Sequence, residues 1–430
     1  MVIPSSDALA PFHELGRLVE NRWRAVDYDE QRLPGIAAVA LDELQVPARV
    51  DPFLVLREFH AAHPQPEQRD AEGRFSDLPI TLYNGTRFYI DLYFWLDGTT
   101  EIHQHAFAGA FQVLSGSSLH SRYSFTRDRE INPHFLTGHL ALGDVEILRQ
   151  GATRPIIPGP DHIHSLFHLD RPSVTLTIRS HHTPTAAPQY AYLKPSLAIH
   201  PFYREPAMLK KVQTVSLLLK MRHPEAAARV TELLADSDFE SAFRMLEAAT
   251  HVVSDHGLQK ALGLTTSDDL MRRFTAAARV RHGDLVDLVE PVLEERRRQA
   301  EIARRRGAIT SEPHRFLMAL LLNVEGRAKV IELVGERYPH EDPIETIVDW
   351  VEELGSTKEL GAEHNVLGIS GWDDDHVFVF ECLLRGMGEA EIAAEAASRY
   401  APAYAAALGE RAPGIGRKIC EAPLFRAHLP

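Results

Sequence analysis

The sequence predicts an α+β protein in which a β-rich section follows short helices and precedes a long all-helical section. Three stretches predict this order. Apolar residues recur at helical spacing from Ala8 to about His60, period-two runs alternate with turn dipeptides from Ile80 to Ser180, and the period is helical almost without interruption from Glu205 onward. Many short strands with regular turns are typical of a barrel or sandwich.

We predict a division into a β domain with an N-terminal helical segment and a helical domain. With 430 residues the chain is long enough for two domains, each with its own core. The expected bounds are 1–75 for the helical segment, 76–200 for the β-barrel and 205–430 for the helical domain. The helical domain could cover the barrel mouth, form a homodimer interface or carry a separate activity.

Local signals predict where several elements begin and end. Turns between strands are predicted at Asn84-Gly85, Asp97-Gly98, Ser115-Gly116 and Gly143-Asp144. Helices are predicted to start at Ser311-Glu312-Pro313 and at Asp342-Pro343, because proline is tolerated in the first turn of a helix.

Two charged runs in the helical section each allow two interpretations. The run EERRRQAEIARRRG, from Glu294 to Gly307, is either a contact for an acidic partner or anionic substrate, or a solvated helix face with Glu–Arg pairs. We favour the solvated face. The run WDDDH, from Trp372 to His376, is either a metal cluster or the N-cap of a helix, and we favour the cap because the helix dipole stabilises anions in the first turn.

Composition argues against several classes of function. The composition, 44% hydrophobic and 25% charged, is that of an ordinary globular protein, and a net charge of −14 argues against nucleic-acid binding. The first residues lack a basic region followed by an apolar one, and the longest apolar run, FLMALLLNV, is too short to cross a membrane. Cys382 and Cys420 show no CxxC spacing and are expected to stay reduced. We therefore expect a cytoplasmic protein without membrane segments.

Histidines mark the candidate site. The stretch EIHQHAFAGAFQVLSG places His103 and His105 one residue apart in a strand-like run, so both imidazoles should leave the same face. The run PGPDHIHSLFH then offers His162 and His164. Three neutral imidazoles with open positions opposite suit a divalent first-row metal that must still bind water, dioxygen or substrate. Ordinary half-buried strand histidines would give the same pattern.

The order of parts resembles the cupins, and within them the cysteine-dioxygenase-like thiol dioxygenases. This order is an aromatic strand FYIDLYFWL, a turn, the histidine pair, an apolar strand, GDVEIL, a Pro-Gly turn and the second histidine run. Gly109 and Ala110 stand where germin-type cupins carry a glutamate ligand, and the thiol dioxygenases also lack that carboxylate. The resemblance runs from about Thr81 to His182 and implies a β-jelly-roll barrel.

The resemblance also implies a metal and a reaction. It suggests Fe(II) held by His103, His105 and a third histidine, in a dioxygenase that uses O2 and a small anionic or thiol-bearing substrate. The segment IHSLFHLDRPSVTLTIRS resembles the closing segment of the thiol dioxygenases and puts His164 in the ligand position, whereas the generic cupin spacing after Pro-Gly points to His162. If His164 is the ligand, His162 could act as a catalytic proton-transfer group or hydrogen-bond the ligands.

Arginines are the candidates for substrate binding. Arg179 stands where the thiol dioxygenases carry a tyrosine, and on a strand that alternates VTLTIRS it should share a face with Thr175 and Thr177, toward the metal. Arg87 roughly corresponds to their carboxylate-binding arginine, and Arg122 is a further candidate.

Other functions fit the same histidines. Zn, Ni or Mn in place of iron would give an isomerase or hydrolase, and a non-catalytic cupin could bind a metabolite and signal through its helical domain.

Overall fold

The computed structural model describes residues 8–70, 75–96, 101–181, 188–254, 267–357 and 365–429. The predicted turn at Asp97-Gly98 lies outside these residues. Four N-terminal helices confirm the helical periodicity: α1 Ala10–Arg24, α2 Leu33–Leu44, α3 Val46–Arg49 and α4 Pro52–Ala61. The start of α4 shows the local cause, because the Asp51 side chain accepts hydrogen bonds from the backbone N–H groups of Phe53 and Leu54.

Ten strands follow and form two antiparallel five-stranded sheets. They are β1 Leu78–Asn84, β2 Phe88–Trp95, β3 Gly109–Ser115, β4 Ser118–Asn132, β5 Phe135–Leu148, β6 Thr153–Ile156, β7 Ile163–His168, β8 Ser173–Ser180, β9 Ala191–Leu193 and β10 Leu197–Ile199. Sheet A has the order β1-β2-β8-β3-β6, and sheet B has the order β7-β4-β5-β10-β9. The predicted turns at Asn84-Gly85 and Ser115-Gly116 connect β1 to β2 and β3 to β4.

The central strands of sheet A, β2, β8 and β3, are buried on both faces. On β2, Phe88, Ile90, Leu92 and Phe94 pack in one apolar cluster with the N-terminal helices. The alternate residues face sheet B, where the Trp95 ring stacks on the His168 ring at a centroid distance of 4.2 Å. The space between the sheets is therefore lined by every second residue of β2.

The predicted turn at Gly143-Asp144 is wrong. Both residues lie inside β5, and the pairing with β4 shifts there, from Ser121 opposite Val145 to Tyr123 opposite Leu142. Two residues of β5 therefore oppose Arg122 alone, as in a β-bulge. The Gly-Asp pair gives the same sequence signal in a bulge as in a turn.

The C-terminal section confirms the helical pattern beyond Glu205. In the residues that the structure describes it contains a 3₁₀ helix at Gly283–Leu288 and eleven α-helices. These are α5 Pro206–Lys220, α6 Ala226–Asp236, α7 Phe239–Ser254, α8 Ser267–His282, α9 Val289–Ala308, α10 Glu312–Asn323, α11 Arg327–Arg337, α12 Pro343–Ser356, α13 Asp374–Arg385, α14 Glu389–Arg399 and α15 Pro402–Glu421. The predicted starts at Glu312 and Pro343 are confirmed.

These helices cover the outer face of sheet B. Phe167 and Val145 belong to the same apolar cluster as Phe316 of α10. Phe135 of β5 contacts Phe243 of α7 at a ring-centroid distance of 5.5 Å. Sheet B therefore lies between sheet A and the C-terminal helices. No helix in the described part of the chain combines the length and apolarity needed to span a membrane.

Of the predictions for the two charged runs, one is confirmed and the other is wrong in part. Asp373 is the N-cap of α13, and its side chain accepts a hydrogen bond from the backbone N–H of His376, as favoured above. The arginine run was expected to be a solvated face, which is wrong in part. Arg298, Arg305 and Arg306 of α9 are buried, and Arg305 donates to the carbonyls of Asn365 and Val366. Buried guanidinium groups satisfy carbonyl groups of neighbouring segments that the sequence does not reveal.

Candidate metal centre

Backbone pairing brings the predicted histidines together. His103 and His105 lie in isolated bridges before β3 rather than in a regular strand, which corrects the expected strand position. The N–H of His103 donates to the carbonyl of His164 at 2.9 Å, and the N–H of His164 donates back to the carbonyl of His103 at 2.9 Å. His105 is fixed by the N–H of Gly159, which donates to its carbonyl at 2.8 Å. The Pro-Gly turn thus holds the two histidine runs side by side.

The side chains of His103, His105 and His164 form a group that can hold a metal ion. One ring nitrogen from each lies within 4.8 Å of the others, and all three side chains are buried. The Nε2 atoms of His105 and His164 are 2.8 Å apart. The buried Nε2 of His103 has no hydrogen-bond partner among the described residues. Three convergent nitrogen atoms, one of them without a partner, are the donor set that a metal ion requires.

The electrostatics of the group also suit a cation. Burial lowers the pKa of His103 to about 4 and lowers the pKa values of His105 and His164 well below the usual range. All three imidazoles are therefore neutral at pH 7 and keep a lone pair for a metal. The Nδ1 of His103 lies 2.6 Å from the carbonyl oxygen of Glu101, which places the proton on Nδ1 and leaves Nε2 free to bind.

Gly109 explains why a carboxylate ligand is absent at this point of β3. A Cβ atom at Gly109 would lie 1.9 Å from the carbonyl oxygen of Ile178 on β8. Ala110 packs in the cluster with the N-terminal helices, away from the histidines. A glutamate therefore has no room at Gly109 and would point away from the histidine group at Ala110.

The three histidines line one cavity of about 280 Å³ between the sheets. Most of its wall is apolar and aromatic. The remaining lining residues are Arg69, Asp70, Phe75, Tyr89, Asp91, Tyr93, Trp95, Phe107, Phe111, Ile156, Leu166, Thr175, Thr177, Arg179, Gln189 and Phe202. The volume suits a small molecule.

Arg179 is the cationic side chain deepest in this wall. Its guanidinium lies over the Phe107 ring at 3.8 Å and near the Tyr89 ring at 5.2 Å. Nη1 donates to the hydroxyl of Tyr93 at 3.4 Å, and the buried Nε has no hydrogen-bond partner among the described residues. Thr175 and Thr177 line the same cavity, as the alternation along β8 predicts.

The other candidates from the sequence lie elsewhere. His162 precedes β7 and is not among the residues that line the cavity, although its ring is 4.6 Å from the ring of His164. Arg87 is exposed, and its guanidinium stacks on the Tyr28 ring at 4.1 Å. Arg122 is exposed and pairs with Asp144 at 3.1 Å. Arg122 lies opposite His164 in the β4–β7 pairing, but neither Arg122 nor Arg87 lines the cavity.

Sequence reasoning missed several polar residues of the cavity. The Tyr93 hydroxyl donates to Asp91 at 2.7 Å, and the Thr81 hydroxyl donates to the same carboxylate at 2.8 Å. Burial raises the pKa of Asp91. A single aspartate in the aromatic strand FYIDLYFW was the available signal, because an acidic residue in a buried strand needs dedicated partners.

Comparisons with known proteins give partial similarities. No protein-family model matches the chain, and no curated protein matches it. Similar solved structures include hydroquinone 1,2-dioxygenase from Sphingomonas sp. TTNP3 with bound 4-hydroxybenzoate, at 9% identity over 26% of this chain and 71% of that chain, with a TM-score of 0.19. They also include the DMSP lyase DddQ from Ruegeria pomeroyi DSS-3, at 15% identity over 36% of this chain and 75% of that chain, with a TM-score of 0.20.

A cupin-superfamily protein from Desulfitobacterium hafniense DCB-2 is similar at 14% identity over 27% of this chain and 93% of that chain, with a TM-score of 0.14. Such similarity covers a small part of the chain and assigns no family.

Proposed function

We propose that the two sheets form a cupin jelly roll and that the protein is a non-haem Fe(II) dioxygenase acting on a small anionic substrate. The observation that carries the proposal is the meeting of three neutral imidazoles and one guanidinium in the same buried cavity. His103, His105 and His164 would hold the metal, and the guanidinium of Arg179 would bind the anionic end of the substrate.

The charge of the site favours an anionic donor. Three neutral ligands leave a divalent metal with its full positive charge, and Arg179 adds a second cation nearby. Arg179 reaches the carboxylate of Asp91 only through the Tyr93 hydroxyl, and it has no ion pair within the described ranges. A thiolate, carboxylate or enolate would therefore be stabilised in this cavity.

The cavity wall defines the rest of the substrate. The rings of Tyr89, Trp95, Phe107 and Phe111 favour an apolar body about the size of a small amino acid or a single ring. A bound metal would supply what the side chains lack, which is redox chemistry toward O2. The chain itself would orient the substrate.

The decisive experiment measures metal and oxygen together. Protein purified without oxygen and reconstituted with Fe(II) should hold one iron per chain, by elemental analysis, and should consume O2 with a member of a panel of small thiols, amino acids and carboxylates. His103→Ala and His105→Ala should each abolish stoichiometric metal. Full occupancy in both variants would exclude the site.

Two alternatives give different results in the same experiment. Turnover without O2 by protein loaded with Zn, Ni or Mn would point to an isomerase or hydrolase that uses the metal as a Lewis acid. Saturable binding of a metabolite without turnover or stoichiometric metal would point to a non-catalytic cupin. Either result would overturn the oxygenase proposal.

A further inference from the structure

His120 connects the candidate ligand His164 to a charged pair formed by Glu146 of β5 and Arg154 of β6. His120 lies on β4, is 1% exposed, and directs Nε2 toward Nδ1 of His164 at 3.0 Å. Its other ring nitrogen, Nδ1, lies 2.9 Å from Oε1 of Glu146 on β5. Arg154 on β6 binds the same carboxylate through Nε at 2.9 Å and also through Nη2. The four side chains form a continuous chain of hydrogen bonds.

The carboxylate sets the direction of this chain. Glu146 is ionised, because the hydrogen bonds from His120 and Arg154 hold its pKa far below the usual range. An ionised carboxylate only accepts, so Nδ1 of His120 carries the proton and donates it to Glu146. One proton lies between Nε2 of His120 and Nδ1 of His164, which are 3.0 Å apart, and a neutral His164 that binds a metal through Nε2 carries that proton on Nδ1, so Nε2 of His120 accepts. That tautomer leaves Nε2 of His164 unprotonated, with its lone pair directed toward Nε2 of His105 at 2.8 Å.

We propose that His120 and Glu146 are positioning residues that hold His164 in the orientation and tautomer required to bind a metal. This inference rests on the metal centre proposed above and adds residues that the metal does not touch. A metal-binding histidine commonly donates its other N–H to a carboxylate or carbonyl, which fixes the ring and raises its basicity. Here a second histidine lies between the ligand and the carboxylate.

The same region allows a different assignment, which the geometry disfavours. One ring nitrogen each from His120, His162 and His164 lies within 4.8 Å of the others, so these residues could hold a second cation. However, His120 Nε2 and His164 Nδ1 already face each other at hydrogen-bond distance, and only the buried Nε2 of His162 lacks a hydrogen-bond partner among the described residues. A second ion would have to displace the proton between the two rings.

The test compares two replacements of His120 by the dissociation constant for Zn(II), measured by competition with a chromophoric chelator. His120→Leu removes the acceptor and should weaken Zn(II) binding by about ten- to a hundredfold. His120→Gln retains an acceptor oxygen at the level of Nε2 and should restore most of the affinity. A merely structural role would not distinguish the two variants in this way once both are shown to be folded.

A double-mutant cycle tests whether Glu146 acts through His120. Glu146→Leu should weaken Zn(II) binding in the same direction, and adding it to His120→Leu should cause little further loss, because the chain is already broken. Fully additive losses, or dissociation constants equal to that of the unmodified protein, would contradict the positioning role of His120 and Glu146. So would two equivalents of bound Zn(II), one of which is lost in His162→Ala.

His168 provides the matched control. It is another buried histidine of sheet B and is 1% exposed. Its Nδ1 lies 3.0 Å from the Ser118 hydroxyl, so it is not part of the chain of hydrogen bonds from His164 to Arg154. His168→Leu should leave the Zn(II) dissociation constant unchanged. If the metal site itself is wrong, the unmodified protein will not bind Zn(II) stoichiometrically. If only the positioning role is wrong, the unmodified protein will bind Zn(II) and the His120 variants will bind it equally well.

Discussion

Arg179 has neighbours that hold it but do not neutralise it. Its guanidinium stacks on Phe107 and donates to the neutral hydroxyl of Tyr93, while the buried Nε has no hydrogen-bond partner among the described residues. A half-buried cation with a buried, unpaired N–H is costly unless an anion completes its hydrogen bonds. The residue therefore fits a binding role better than a structural one.

Arg179→Lys should keep the charge but lose the planar fork. We expect kcat/KM for the substrate to fall by about ten- to a hundredfold, the value of a hydrogen bond to a charged group, while metal content stays at the level of the unmodified protein. Steady-state kinetics and elemental analysis measure the two effects. Arg87→Lys is the matched control, because Arg87 is exposed and stacks on Tyr28. Unchanged kinetics for Arg179→Lys would show that Arg179 does not bind the substrate and has a structural role.

His168 should make stability depend on pH. Burial lowers its pKa to about 3, below the value of about 6.5 for an unfolded chain. Between pH 6.5 and 3 the unfolded state therefore binds more protons, and the free energy of unfolding falls as the pH falls. His168→Asn should reduce that slope by up to about 1.4 kcal/mol per pH unit, measured by urea denaturation across the window. An identical slope in the variant would contradict this.

At the scale of elements, the paired strands β2 and β8 build most of the cavity wall. In register, Tyr89 lies opposite Arg179, Asp91 opposite Thr177 and Tyr93 opposite Thr175. All six line the cavity, because residues directly opposite in an antiparallel pair point to the same face. One pair of strands thus supplies the cation, the phenol and the carboxylate of the site.

The sequence predicts some residues of the site and hides others. His103, His105 and His164 can be found because their spacing and the Pro-Gly turn are local signals. His120 cannot, since a lone histidine becomes informative only when β4 pairs with β7 and β5. The alternation of β8 predicts where Arg179 points, whereas the cavity face of β2 is marked by Asp91 alone, because the other residues of that strand are apolar or aromatic on both faces and give no amphipathic pattern.

Helix α9 allows a test of the buried arginines. Arg304 and Arg305 are neighbours that both pair with Glu301, but Arg305 is buried and also donates to the carbonyls of Asn365 and Val366. Arg305→Leu should lower the free energy of unfolding by about 2–5 kcal/mol, because it leaves buried acceptors without donors. Arg304→Leu should change it by about 0.5 kcal/mol or less, as for an exposed pair. Equal effects in chemical denaturation would contradict the distinction.

At the scale of the whole molecule, the helical section and the sheets share apolar clusters. Phe167 and Ile147 of sheet B pack in one cluster with Phe316 and Leu320, and Phe135 and Leu197 pack in another with Phe239 and Phe243. The predicted division at residues 200–205 falls between β10 and α5, and the assignment of the two sections as separate domains stays a prediction. A homodimer likewise stays a prediction.

The shared clusters lead us to expect that residues 1–204 do not fold alone. Without the helices the outer face of sheet B would expose Leu119, Val145, Ile147, Phe135 and Phe167, all of which are buried in the full chain. An exposed apolar sheet face of this kind promotes association. The fragment should therefore aggregate or lack a cooperative transition in circular dichroism, whereas the full chain should unfold in a single calorimetric transition.

Phe167→Ala in the full chain makes the same expectation testable without truncation. The side chain is 3% exposed, lies in the cluster with Phe316, and carries the Arg306 guanidinium over its ring at 4.5 Å. Its loss should cost about 3–5 kcal/mol, as for a buried phenylalanine, and should lower the whole transition, because sheet and helices unfold as one cooperative unit. Ile331→Ala in α11, at a partly buried position of that cluster, is the milder comparison. If Phe167→Ala instead split the transition in two and left the midpoint of one part unchanged, the sheets and the helices would be separate domains. The fragment 1–204 should then bind metal without the helical section.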